Sequence, residues 1–85
     1  MSSWNIVILK KAEKYINKLN PADQRRIIVA FKLLIQDKTL VDTKPLKGRL
    51  EWRLRVGDFR ILYIQDQENQ AYVVTKIKSR GDIYK

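Results

Sequence analysis

The sequence predicts an α+β domain in which two helices pack on one face of an antiparallel sheet. Apolar residues recur at helical spacing between residues 10 and 37, and from residue 50 onward they alternate with polar residues, as in strands with one buried face. Gly57-Asp58 separates two of the alternating runs and is a two-residue hairpin signal. With 85 residues the chain is long enough for one core but not for two, so we expect a single domain over residues 1–85.

The first half of the chain predicts a strand followed by a helical hairpin. Residues 3–9 (SWNIVIL) are apolar on both faces, which suits a buried strand, and residues 10–19 have the spacing of a short helix with lysines on its outer side. Asn20 can cap a second helix that has Pro21 in its first turn, and we expect this helix to end near Asp37. Its predicted apolar stripe consists of Ile27, Ile28, Phe31, Leu34 and Ile35.

The second half predicts a three-stranded antiparallel meander, which follows a basic connecting loop at residues 38–49. A turn at Gly57-Asp58 pairs Arg55 with Arg60, and the strand FRILYIQ then leads to a last strand, AYVVTKIK. The helices are expected to cover the apolar face of this hairpin, which is made by Leu50, Trp52, Leu54, Val56, Phe59, Ile61 and Tyr63.

Composition narrows the chemistry that the chain can perform. It has neither cysteine nor histidine, which removes the usual zinc and iron–sulfur ligands and the commonest general base. Any catalysis must therefore use Lys, Arg, Tyr or carboxylate side chains, and no cofactor or metal is expected at the site. The net charge of +9 favours a polyanionic partner such as nucleic acid, although a solubilising basic surface or an acidic protein partner would give the same composition.

The sequence also predicts a cytoplasmic protein without a membrane segment. The short apolar run at the start has its charges after it rather than before it, unlike a signal peptide. No apolar run approaches the roughly 18 residues that a transmembrane helix requires.

The polar face of the hairpin concentrates positive charge. Arg53, Arg55 and Arg60 lie on it, and the last two are direct cross-strand neighbours, which destabilises a sheet by up to roughly 1 kcal/mol. The cluster either spreads into water or binds phosphate, for which the planar guanidinium is well shaped. Lys76 and Lys78 are expected to point toward the same arginines.

An apolar patch is predicted beside these charges, formed by Leu62, Ile64, Tyr72 and Val74. Two helices cannot cover both faces of one sheet. The patch therefore either belongs to the core or is covered by a partner.

Three segments together resemble the RelE/ParE superfamily of toxins: KPLKG at 44–48, WRLRVGDFRILYI at 52–64 and KIKSRGDIYK at 76–85. The resemblance implies a toxin that a cognate antitoxin protein neutralises. In the RelE branch the toxin is an mRNA interferase, a metal-independent endoribonuclease that acts on messenger RNA at the ribosome and inhibits translation. The alternatives are a ParE-type inhibitor of DNA gyrase, which does not cut RNA, and an inactive relative that only binds an antitoxin.

The RelE-type reaction implies attack by the ribose 2′-hydroxyl on the adjacent phosphate, with cations to stabilise the developing charge. The general base stays open among Glu51, Lys47, Lys78 and Tyr84, since this chain has Glu51, Arg53 and Arg55 where such enzymes carry lysines. By resemblance and position, the catalytic residues are expected to be Arg53, Arg55, Arg60, Lys78, Arg80 and Tyr84; the RNA-binding residues Lys44, Lys47, Arg49 and Lys76; and the antitoxin-binding residues Leu62, Ile64, Tyr72 and Val74.

Overall fold

The computed structural model describes residues 4–79 and confirms the predicted α+β architecture. The elements in chain order are β1 (Asn5–Ile8), α1 (Lys10–Asn17), α2 (Pro21–Gln36), a 3-10 turn (Lys38–Leu40), β2 (Asp42–Pro45), β3 (Glu51–Val56), β4 (Phe59–Asp66) and β5 (Ala71–Ser79). The strands form one five-stranded sheet with the order β1-β5-β4-β3-β2, in which β1 runs parallel to β5 and the other neighbours are antiparallel. None of the helices in residues 4–79 combines the length and apolar character needed to cross a membrane.

Helix α2 begins at the predicted cap. The Asp23 backbone N–H donates to Asn20 Oδ1 over 2.9 Å, and Pro21 occupies a first-turn position where its missing N–H has no cost. The helix buries Ile27, Ala30, Phe31 and Leu34 against the sheet. The predicted stripe also included Ile28, which is 41% exposed because it lies about 100° around the helix from Ile27.

Both edges of the sheet differ from the prediction. Strand β1 is not buried on both faces as predicted, but is an edge strand whose Val7 is 44% exposed. Strand β2 lies in the segment predicted as a loop, and it pairs with β3 in a register that places Thr43 opposite Leu54. Its four residues lack apolar alternation, so only the pairing with β3 identifies it as a strand.

The β3–β4 hairpin has the predicted register. Gly57 adopts φ 56° in the turn, and Arg55 faces Arg60 while Leu54 faces Ile61. A positive φ at this position favours glycine. Leu50 does not belong to the apolar face as predicted, since the strand starts one residue later and Leu50 is 83% exposed.

A β-bulge between Leu62 and Tyr63 reverses the faces of half of β5. Leu62 pairs with Lys76, whereas Tyr63 pairs with Val74, so that one additional residue is inserted in β5. Tyr72 and Val74 therefore face the helices and are 6% and 0% exposed. The predicted patch of Leu62, Ile64, Tyr72 and Val74 is wrong for its last two members, which belong to the core.

An aromatic row crosses the helix-covered face of the sheet. Trp4 stacks on Tyr72 with ring centroids 4.7 Å apart, Tyr72 meets the edge of Tyr63 at 5.5 Å, and Tyr63 stacks on Trp52 at 6.3 Å. Lys38 Nζ lies 4.5 Å from the centroid of the Trp52 ring, a cation–π contact that ends the row. Offset-stacked and edge-to-face pairs add stability beyond their buried area.

Candidate nucleic-acid interface

A basic groove lies on the face of the sheet that the helices leave uncovered. The register of β3, β4 and β5 builds it, because Arg60 pairs with Lys78, while Leu62 lies between Arg53 and Lys76. Residues on three adjacent strands thus form two rows across the sheet. The groove has a volume of about 260 Å³ and is lined by Leu46, Arg49, Glu51, Arg53, Arg60, Leu62, Lys76 and Lys78.

The groove is strongly electropositive, since five of its lining residues are cations and one is a carboxylate. Glu51 Oε1 lies 3.4 Å from Arg49 Nε, an ion pair at the rim whose two side chains are 26% and 61% exposed. Arg53 has a second acidic neighbour, Asp42 on β2, at 3.3 Å. With these two carboxylates counted, the five cations that line the groove still carry an excess of positive charge.

Arg53 is the most enclosed of the groove's ion-paired cations. Its side chain is 20% exposed, and its Nε is shielded from solvent without a hydrogen-bond acceptor among the described residues. Its backbone carbonyl accepts a hydrogen bond from Thr43 Oγ1 at 2.8 Å. Residues of β2 therefore bind both the backbone carbonyl and the guanidinium of Arg53.

The remaining predicted site residues divide into two groups. Arg55 faces Arg60 across the hairpin but is exposed and does not line the groove, and Lys44 and Lys47 are likewise exposed outside it. Arg80 and Tyr84 lie outside the described residues. Among the predicted cations, the structure brings together Arg49, Arg53, Arg60, Lys76 and Lys78.

Sequence reasoning missed Leu46 in the floor of the groove and Asp42 beside it. Both lie in the segment predicted as an irregular loop, where no periodicity indicates which way a side chain points. The signal that could have found Asp42 is its position in a short run that can extend the sheet beside β3. Among residues 4–79 no cluster of three or more His, Cys, Asp or Glu side chains could hold a metal ion.

Neither described tyrosine of the sheet is suited to act as a base. Burial raises the pKa of Tyr63, an effect that its hydrogen bond with Thr43 partly opposes, and burial also raises the pKa of Tyr72. Both hydroxyls are therefore protonated at neutral pH. Glu51 and Lys78 are the two candidate bases that line the groove.

A second concave surface lies between α2 and the β3–β4 turn. We call it the α2 groove; its volume is about 510 Å³ and its floor is largely apolar. Val29, in this groove, is 51% exposed. The groove is lined by Arg25, Arg26, Val29, Ala30, Leu33, Val56 and Gly57.

Comparison with known protein families identifies the chain. Residues 7–84 match the model of a family described as the ParE toxin of the type II toxin–antitoxin system parDE. The chain belongs to this toxin family. The match extends over nearly all of the sequence, and it confirms the RelE/ParE resemblance drawn from three short segments.

Individual relatives of the toxin are RelE-like. RelE1 of Methanocaldococcus jannaschii is 31% identical over 90 residues, with 96% of both chains covered. The RelE–RelB complex of Pyrococcus horikoshii has a TM-score of 0.80 at 24% identity, covering 94% of this chain and 98% of that one. The RelBE2 complex of Mycobacterium tuberculosis has a TM-score of 0.79 at 22% identity, covering 93% of this chain and 100% of that one. These structures share the toxin's fold; the first is a RelE–RelB complex and the second is a toxin–antitoxin complex.

Proposed function

We propose that this toxin is a ribosome-dependent endoribonuclease that cuts messenger RNA and thereby stops translation. The observation that supports the proposal is the convergence of Arg53, Arg60, Lys76 and Lys78 in one groove on three adjacent strands. Like charges gathered in this way lower the stability of the sheet. Their arrangement is favourable where a phosphate enters between them.

The reaction requires the ribose 2′-hydroxyl to lose its proton and its oxygen to attack the neighbouring phosphorus. The bond from phosphorus to the 5′-oxygen then breaks, and that oxygen takes a proton from water, leaving a 2′,3′-cyclic phosphate and a 5′-hydroxyl end. In the proposed reaction Arg60 and Lys78, which are cross-strand partners, bind the scissile phosphate and stabilise the charge that develops on it. Glu51 takes the proton of the 2′-hydroxyl; if Lys78 takes it instead, Arg60 alone supplies the positive charge at the phosphate.

Flanking groups bind the neighbouring parts of the RNA. Lys76 and Arg49 lie along the groove and can contact adjacent phosphates. Leu62, between two cations in the floor, offers an apolar surface to a base. Arg55, Lys44 and Lys47 lie outside the groove and contribute to the positive field that attracts the polyanion.

The direct test adds purified toxin to translating ribosomes and maps the ends of the message. We expect new ends that carry 2′,3′-cyclic phosphate and 5′-hydroxyl groups, and we expect far slower cutting of the same RNA without ribosomes. A gyrase supercoiling assay is run beside it. Intact messages together with inhibited supercoiling would overturn the proposal in favour of a ParE-type activity.

We also propose that an antitoxin of the RelB kind neutralises this toxin by laying an acidic amphipathic segment into the α2 groove. Arg25 and Arg26 are exposed at its rim, and no ion pair joins either of them to an acidic side chain within residues 4–79. Val29 and Leu33 supply the apolar floor, at the one-turn spacing that suits an amphipathic helix. This surface replaces the predicted patch, two members of which are in the core.

The antitoxin is identified as the protein that restores growth to cells expressing the toxin, and its binding is measured with two matched variants. Val29→Asp places a carboxylate in the groove, and we expect it to weaken binding by at least tenfold. Ile28→Asp introduces the same charge on the same helix at a comparably exposed position outside the groove, and its binding should stay within about threefold of wild type. Equal effects of the two substitutions would contradict docking in the α2 groove.

A further inference from the structure

We propose that Asp42 is a positioning residue, whose carboxylate holds the Arg53 guanidinium in the orientation that receives an RNA phosphate. The inference rests on the proposed function, because it assigns a role within the same basic groove. It concerns a residue that does not line the groove and carries the charge opposite to that of a phosphate-binding group.

The contact itself is directional. Arg53 Nη2 donates to Asp42 Oδ1 over 3.3 Å from the neighbouring strand. In the β2–β3 register Asp42 is opposite Arg55 and Lys44 is opposite Arg53, so the carboxylate reaches Arg53 diagonally. It does so although the exposed guanidinium of Arg55 is its direct cross-strand neighbour.

The Arg53 side chain has a physical reason to leave this position. Four-fifths of its surface is buried, and its Nε has no acceptor among the described residues. A buried N–H without an acceptor costs about 1 to 3 kcal/mol, a cost that the side chain would relieve by moving into water. Asp42 makes the one side-chain hydrogen bond that opposes this movement within residues 4–79.

The backbone beneath Arg53 is already fixed by other residues. Tyr63, with no exposed surface, shares a hydrogen bond with Thr43 Oγ1, which in turn donates to the Arg53 carbonyl. The backbone is therefore anchored to the core, and the orientation of the guanidinium is the remaining freedom. Asp42 restricts that freedom from the same strand that carries Thr43.

Positioning and simple electrostatics predict opposite results for removing this carboxylate. As a charge near the groove, Asp42 repels RNA, so its loss should strengthen binding and leave the rate at saturation unchanged. As a positioning residue, its loss should lower the rate at saturation, because a misplaced group near the reacting atoms costs up to about a hundredfold. Measuring both the strength of RNA binding and the rate at saturation, kcat, therefore distinguishes the positioning role from the electrostatic role.

The experiment compares three variants in the ribosome-dependent cleavage assay. Asp42→Ala removes the acceptor, and we expect kcat to fall by about tenfold or more. Asp42→Asn removes the charge but keeps an oxygen acceptor, and it should retain most of the wild-type kcat. Asp58→Asn makes the same charge change in the β3–β4 turn, outside the groove, and should leave kcat unchanged. A wild-type kcat in Asp42→Ala would overturn the proposal.

Two further measurements distinguish positioning of Arg53 from a contribution of Asp42 to folding. The partly exposed ion pair contributes little to folding, so the melting temperature of Asp42→Ala should stay within a few degrees of wild type, and a large fall would show a structural role instead. The Nε–H resonance of Arg53 reports its orientation without any activity. It should shift and broaden in Asp42→Ala but not in Asp58→Asn.

The Nε–H resonance of Arg53 also allows the positioning role of Asp42 to be tested independently of the proposed cleavage of messenger RNA. If the wild-type protein cut no message, the proposed function would fail, yet the change at Arg53 would still establish positioning by Asp42. An unchanged resonance in Asp42→Ala would overturn the positioning role even if cleavage were confirmed.

Discussion

Arg60 and Ile61 are neighbours in the chain but lie on opposite faces of the sheet. Ile61 points toward the helices and has no exposed surface, whereas Arg60 lines a groove with four other cations. Burial of apolar area on the helix-covered face stabilises the fold. Repulsion between like charges on the helix-free face lowers that stability. Because successive side chains of a strand point to opposite faces, one residue can pack in the core while the next lines a binding surface.

The largest effect that we predict is a loss of stability on substitution in the buried face. Ile61→Ala removes a fully buried side chain and should lower the free energy of unfolding by about 2 to 5 kcal/mol, through lost burial and the cavity that remains. Urea denaturation measures the loss. Ile64→Ala, on the opposite face and only half-buried, is the matched control and should cost clearly less. Similar losses would mean that the faces do not differ in packing.

The next effect concerns the charged face. Arg60→Ala should lower the cleavage rate by about 10²- to 10³-fold, the usual consequence of losing one preorganised donor to a developing negative charge. The free energy of unfolding should stay the same or rise slightly, because repulsion between Arg60 and Arg55 is relieved. Arg55→Ala relieves the same repulsion from a position outside the groove, and a comparably inactive Arg55→Ala would extend the site beyond the groove.

The smallest effect concerns the link between β2 and the core. Tyr63→Phe removes the hydroxyl that bonds Thr43 and should cost about 1 kcal/mol at neutral pH. Burial raises the pKa of Tyr63 above the ordinary value of 10.0, so the neutral form contributes stability below that pH. This contribution is lost as pH rises through the folded-state pKa, because the unfolded state ionises first.

The pH dependence gives Tyr63→Phe a distinct signature. Between about pH 9 and pH 11, the free energy of unfolding should fall less steeply in this variant than in the wild type. Parallel curves for the two proteins would show that Tyr63 ionises equally in the folded and unfolded states.

Local signals predicted the fold where the structure depends on neighbouring residues. The register of the β3–β4 hairpin follows from Gly57-Asp58, and the start of α2 follows from Asn20-Pro21, because each is set within a few residues. The bulge at Leu62 could not be predicted in this way. It depends on how β5 pairs with β4 across a turn, and the one inserted residue puts Tyr72 and Val74 on the face opposite to Lys76 and Lys78.

The sequence predicted the positions of the candidate site residues where these lie on strands with regular alternation of apolar and polar side chains. Arg53, Arg60, Lys76 and Lys78 lie on strands, where alternation indicates the direction of a side chain, and the structure brings all four into one groove. Asp42 and Leu46 lie in and beside a four-residue strand without alternation, so no pattern indicated where their side chains point. The role of each of these residues in cleavage remains a prediction for the experiments above.

The aromatic row has a practical consequence for optical work on this protein. The chain contains two tryptophans, and they end the row at its two sides: Trp4 stacks on Tyr72 next to β1, and Trp52 lies under Lys38 next to β2. Each indole therefore fluoresces in a different environment beside a different edge of the sheet. In Trp52→Phe, emission follows the β1 edge alone, and in Trp4→Phe it follows the edge formed by β2, whose Asp42 binds the Arg53 guanidinium. The natural sequence thus carries two separate fluorescent reporters of whether the edges of the sheet open together or one after the other.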